Sequence, residues 1–149
     1  MPTIVERNPA NAELLASATG SGTHVVLSLE DLRQHLVEDA NEYAVVLGAG
    51  VDLEAAAAFA STLRVTRPAT SVILVRRRVD TSVLAEALRS GMREVIEERD
   101  LPGLSEAVRR AGELWAALSG DSENGQAVLR RVRRKSVGRR RPAGGRARS

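Results

Sequence analysis

The run Ala44-Val45-Val46-Leu47, closed by Gly48-Ala49-Gly50, constrains the fold more than any other stretch. Helix-forming sequence begins directly after it, at Asp52. A short, continuous apolar run ended by glycines reads as a strand buried on both faces, as in the middle of a parallel sheet. Ligand sites in such sheets lie beyond the carboxyl ends of the strands. The residue at that end is Gly48, which offers no nucleophile, carboxylate or base.

Four further strand-and-helix units surround it. Thr3–Glu6 is a short apolar strand, followed by Asn8 as an N-cap with Pro9 in the first helical turn, and the helix runs to about Ala18 before Gly20-Ser21-Gly22. Thr23–Leu27 is the second strand, after which Ser28, with Asp31 three residues on, caps a helix carrying Leu29, Leu32 and Leu36 on one face. Asp52 caps an alanine-rich third helix that ends before Pro68, and Ser71–Val75 is the second strongly apolar strand. One of Asp80, Thr81 or Ser82 caps a helix with Val83, Leu84, Ala87 and Leu88 on one face, stopped by Gly91. Glu94–Glu97 is a weaker fifth strand, and Leu101, Leu104, Val108, Ala111 and Leu118 mark a final amphipathic helix. Five βα units over about 118 residues predict a doubly wound α/β domain with a parallel sheet.

Charge divides the chain. Residues 1–129 carry twelve arginines against all 19 acidic residues, a net −7, whereas residues 130–149 carry nine arginines and Lys135 with no acid, +10. The expected organisation is a domain over 1–118, a linker over 119–126 and a disordered basic tail over 127–149. The tail residues Arg130, Arg131, Arg133, Arg134, Lys135, Arg139, Arg140 and Arg141 suit DNA, RNA or anionic lipid, with salt-dependent, sequence-independent affinity. Two other readings stand beside binding: a solvated extension without a partner, and an altered reading frame. No cysteine is present, which excludes disulfides, thiol catalysis and Cys-based zinc sites. No apolar run approaches a membrane span and no secretory signal is seen, so a cytoplasmic location is expected.

The five βα units resemble the receiver domain of bacterial response regulators, which implies a CheY-like sheet of order 2-1-3-4-5. Receivers hold Mg²⁺ with two acids after the first strand; the matching positions here are Glu6 and Arg7. Their phosphate-accepting Asp matches Gly48, their switch Thr or Ser matches Arg76, and their Lys after the fifth strand matches Glu98. The resemblance therefore implies a pseudo-receiver without phosphorelay chemistry, metal or cofactor. Within that group, the stretches PTIVERNPANAELL, VVLGAGVDLEAAAAFA and LRSGMREVI resemble the N-terminal domain of actinobacterial CpaE/TadZ-type pilus-assembly and septum-site-determining ATPases of the MinD/ParA group. Such proteins continue into a KGGxGKT-type loop that does not occur after Gln126, so ATP binding by that route is not expected. The implied role is protein interaction and localisation.

The remaining candidates favour structure over chemistry. Gly48-Ala49-Gly50 lacks the third glycine of a dinucleotide fingerprint, since Leu53 stands there, and reads as a tight turn. His24 and His35 lie in different elements, without metal-ligand spacing or a nucleophile. Arg76-Arg77-Arg78 ends the fourth strand and reads as a solvated loop, with an anionic ligand at the sheet's carboxyl edge as the alternative. Receivers commonly pair through their fourth and fifth helices, so the resemblance makes Val83, Leu84, Leu88, Leu104, Val108 and Trp115 the candidate homodimer face, with core packing the ordinary reading of Trp115 and an interface anchor the alternative. No pair of groups has the spacing of an acid, base or nucleophile, and no small-molecule substrate is expected.

Overall fold

The computed structural model describes residues 1–119, in which five strands alternate with five helices. They are β1 (Thr3–Val5), α1 (Pro9–Thr19), β2 (His24–Val26), α2 (Leu29–Glu38), β3 (Ala44–Leu47), α3 (Leu53–Thr66), β4 (Ser71–Arg76), α4 (Thr81–Ser90), β5 (Glu94–Glu97) and α5 (Leu101–Ser119). All strand pairs are parallel and the order is β2-β1-β3-β4-β5, as expected. The register sets Ile4 beside Val46, Leu47 beside Leu74 and Arg76 beside Glu97. One compact unit spans Met1–Leu114, and a second, residues 115–149, is described only in the last residues of α5. The expected linker and tail lie outside the described residues, apart from Ser119.

Alternation along the central strands supplies two apolar layers. Val5, Val45, Leu47, Val72 and Leu74 face a core completed by Leu32 and Leu36 of α2, Phe59 and Leu63 of α3, and Ala87 of α4. Ile4, Val46, Ile73 and Val75 point to the other face, against Leu15 of α1 and Leu104, Ala107 and Val108 of α5. Each fully buried aliphatic side chain contributes about 1.5–3 kcal/mol relative to exposure, so these layers dominate the fold's stability. The small residues of α3, with Ala56 and Ala60 buried, let that helix lie close to the sheet.

Each helix starts where a short polar side chain can take the orphan amides of the first turn. Asn8 Oδ1 accepts from the amides of Ala10 and Asn11, Ser28 Oγ from Asp31, Asp52 Oδ2 from Ala55, Asp80 Oδ1 from Val83 and Asp100 Oδ1 from Gly103. Of the three residues that can cap α4, Asp80 is therefore the one used. Gly91 ends α4 at φ +83°, and its amide returns to the carbonyls of Ala87 and Leu88. β2 is shorter than the expected Thr23–Leu27, because its one partner, β1, offers three residues to pair with. No helix among the described residues is long and apolar enough to cross a membrane.

Candidate functional site

The carboxyl ends of β1 and β3 lie where the strand order reverses, the place at which open α/β sheets hold ligands. Sheet pairing continues just past both strands: the Glu6 amide donates to the Val26 carbonyl at 3.1 Å, and the Gly48 amide to the Val5 carbonyl at 2.9 Å. The Glu6 side chain is buried and lies across Gly48 and Gly50. Its Oε2 accepts from the Asn8 amide at 3.1 Å, while Oε1 has no hydrogen-bond partner among the described residues. A Cβ built on Gly48 would fall well inside van der Waals contact of Glu6 Oε1 and 2.8 Å from the Val5 carbonyl oxygen. Glycine is thus required at 48 by crowding; its φ is not positive. The Val51 amide bonds back to the Gly48 carbonyl at 3.0 Å, giving the tight turn expected there.

Arg76 departs from its expected place in a solvated loop. It ends β4, is partly buried, and its Nη1 donates to the Val51 carbonyl at 2.7 Å, tying β4 to the β3–α3 turn. Apolar β4 presents its last residue beside that turn, and a long guanidinium is what can bridge the gap. Arg77 is exposed, 4.0 Å from the Glu98 carboxylate, and the Glu98 amide donates to the Arg76 carbonyl. Glu6, Arg7, Asn8, Asn11, Ala49, Gly50 and Arg77 line a shallow crevice of about 380 Å³ above these strand ends. All five positions expected there, Glu6, Arg7, Gly48, Arg76 and Glu98, follow or end strands at this edge.

Known structures share this architecture. A CheY-like protein, TadZ, from Pseudomonas aeruginosa superposes with a TM-score of 0.60 at 25% identity, over 74% of this chain and 91% of the other. A pilus assembly-related protein from Burkholderia pseudomallei gives 0.60 at 19% identity, over 76% and 89%. The beryllofluoride-activated receiver-domain dimer of NtrC4 gives 0.64 at 14%, over 76% and 97%. The fold is that of a receiver domain. No family model and no curated protein sequence matches the chain.

The Mg²⁺ that receivers hold at this edge does not fit these residues. Of three carboxylates, one remains, and Glu6 spends Oε2 on the Asn8 amide; Arg7 and Arg77 bring positive charge to the same crevice. Position 48 has no side chain to accept a phosphoryl group. The sequence positions were legible, but the way Glu6 covers Gly48 was not, since nothing in IVER says where the carboxylate will lie.

The expected dimer face does not hold together. Leu104 and Val108 are buried in the receiver core, because α5 turns these residues toward β4 and β5, and so they cannot form an exposed face. α4 likewise splits its apolar residues: Ala87 is buried and Val83 packs on the core, while Leu84 and Leu88 project outward, Leu88 with 75% of its surface exposed. Trp115 lies in the second unit. The tail arginines 130–141 and Lys135 lie outside the described residues.

The opposite, amino-terminal edge of the sheet holds a cluster that sequence reasoning missed. His24, opening β2, stacks on His35 of α2 with ring centroids 4.4 Å apart and planes 14° from parallel. His35 Nε2 stands 3.5 Å from Glu42 Oε1 and 3.8 Å from Asp39 Oδ2. The signal available was His35 and Asp39 four apart at a helix end; Glu42 joins only because the chain turns back into β3.

Proposed function

We propose that this chain is a non-catalytic interaction and localisation module: a receiver fold that binds a partner protein without a phosphorylation cycle. The observation that carries the reading is Gly48 at the phosphoacceptor position with the buried Glu6 carboxylate across it. Similarity to TadZ and to the Burkholderia pilus assembly-related protein supports a role like that of the N-terminal part of CpaE/TadZ-type proteins, in pilus assembly or septum-site placement. The exposed Leu84 and Leu88 supply apolar surface for self-association or a partner. Incubation with acetyl phosphate and Mg²⁺ tests the reading: intact-mass spectra are expected to show no phosphoryl adduct where an active receiver gains one. A stoichiometric adduct would overturn it.

A second reading rests on the +10 charge of residues 130–149: binding to nucleic acid or anionic membrane through the tail. It predicts affinity for duplex DNA that falls steeply with salt and vanishes on truncation after Gln126. Unchanged binding by the truncated chain would exclude it.

A further inference from the structure

We propose that His35, Asp39 and Glu42 form a binding site for a transition-metal dication of the zinc class, at the edge of the sheet opposite the receiver crevice. The first argument is spacing. A direct N–H···O hydrogen bond places its heavy atoms about 2.7–3.2 Å apart. Two ligands about 2.0–2.2 Å from a shared tetrahedral zinc stand roughly 3.3–3.6 Å from each other. His35 Nε2 lies 3.5 Å from Glu42 Oε1 and 3.8 Å from Asp39 Oδ2, too far for good hydrogen bonds and close to the spacing of shared ligands. The donor atoms of all three residues lie within 4.8 Å of one another.

The second argument is what each donor does otherwise. His35 Nε2 is buried, faces both carboxylates and has no hydrogen-bond partner among the described residues, which a bound cation would remedy. Asp39 anchors one oxygen to nearby backbone and turns the other toward the imidazole. Asp39 Oδ1 accepts from the Asn41 amide at 2.9 Å, leaving Oδ2 toward His35. Glu42 Oε2 faces the Ala44 amide at 3.4 Å and the Met1 ammonium at 3.8 Å, leaving Oε1 toward His35. The Thr3 hydroxyl donates to that same Oε1, and His24 stacks on the imidazole, so ring and carboxylate are held as outer-shell groups hold metal ligands.

One imidazole with two carboxylates favours zinc-class ions over Mg²⁺ or Ca²⁺, which take oxygen alone. With three protein ligands, water completes a tetrahedral set. The chain has two histidines and no cysteine, so an imidazole-ligated site must use His24 or His35, and the test separates them.

Titration of the tag-free full chain with ZnCl₂ by calorimetry is expected to give one saturable equivalent, and Co²⁺ a visible absorption band of low coordination number. Losing a direct ligand should cost more than the roughly 10–100-fold typical of outer-shell changes, so His35→Gln and Asp39→Ala should each weaken Zn²⁺ by at least about 100-fold, with the loss in His24→Gln smaller than either. Asp39 is partly exposed, so its variant keeps the fold, which circular dichroism checks even if His35→Gln is unstable. Absence of a saturable equivalent overturns the proposal. So does binding that survives Asp39→Ala, or that His24→Gln abolishes while His35→Gln does not.

Discussion

At the scale of single residues, Glu6 and Gly48 form one unit. Any side chain at 48 meets the Glu6 carboxylate and the Val5 carbonyl oxygen together, and only the first of these can move. Gly48→Ala is therefore expected to cost about 1–3 kcal/mol, as overpacking of a filled site does. Combined with Glu6→Ala the cost of that change should shrink without vanishing, because the backbone oxygen remains; a denaturant double-mutant cycle reads the coupling. Equal costs in both backgrounds would mean that Glu6 does not crowd the glycine. The degenerate positions were legible because strand ends can be found from apolar runs and glycines. Their geometry was not: Glu6 and Arg76 each reach across two elements, and local sequence does not encode such contacts.

Among the elements, helix starts were the most legible features, since Asn8, Ser28, Asp52 and Asp80 carry their capping chemistry in their own side chains. Asp80 also makes a pH prediction. The Val83 amide first, then the Ser82 hydroxyl, holds its carboxyl below the ordinary value of 3.8. A carboxyl depressed in the folded state stabilises the fold above its unfolded pKa, and that contribution is lost as pH falls through the lower, folded value. The stability gap between the parent and Asp80→Ala should stay constant from neutral pH down to the ordinary carboxyl range and narrow in stronger acid, followed by thermal melts. A gap independent of pH would show that the cap acts without its charge. The orientation of α4 was not legible: Val83, Leu84, Ala87 and Leu88 share a broad stripe, and which flank is buried depends on how α4 meets the sheet and α3.

For the whole molecule, the proposed self-association has one testable ridge in Leu84 and Leu88. If it pairs copies of the chain, Leu88→Glu should convert a dimer to a monomer in sedimentation equilibrium. Since the side chain is mostly exposed, folding stability should change by only about 0.5 kcal/mol. A dimer that survives the substitution would move the contact elsewhere. Arg76 bears on how such a module is controlled. By bonding to the Val51 carbonyl it links β4 to the turn after β3, and the glycine beneath Glu6 offers a phosphoryl group no side chain at that strand end. A ligand shifts a conformational equilibrium only by its unequal affinity for the two states, so the affinity of the proposed module for its partner would not be set by a phosphoryl group at position 48. With no phosphoryl switch, occupancy in the proposed module would track the abundance of chain and partner, as with a titrating subunit rather than a relay.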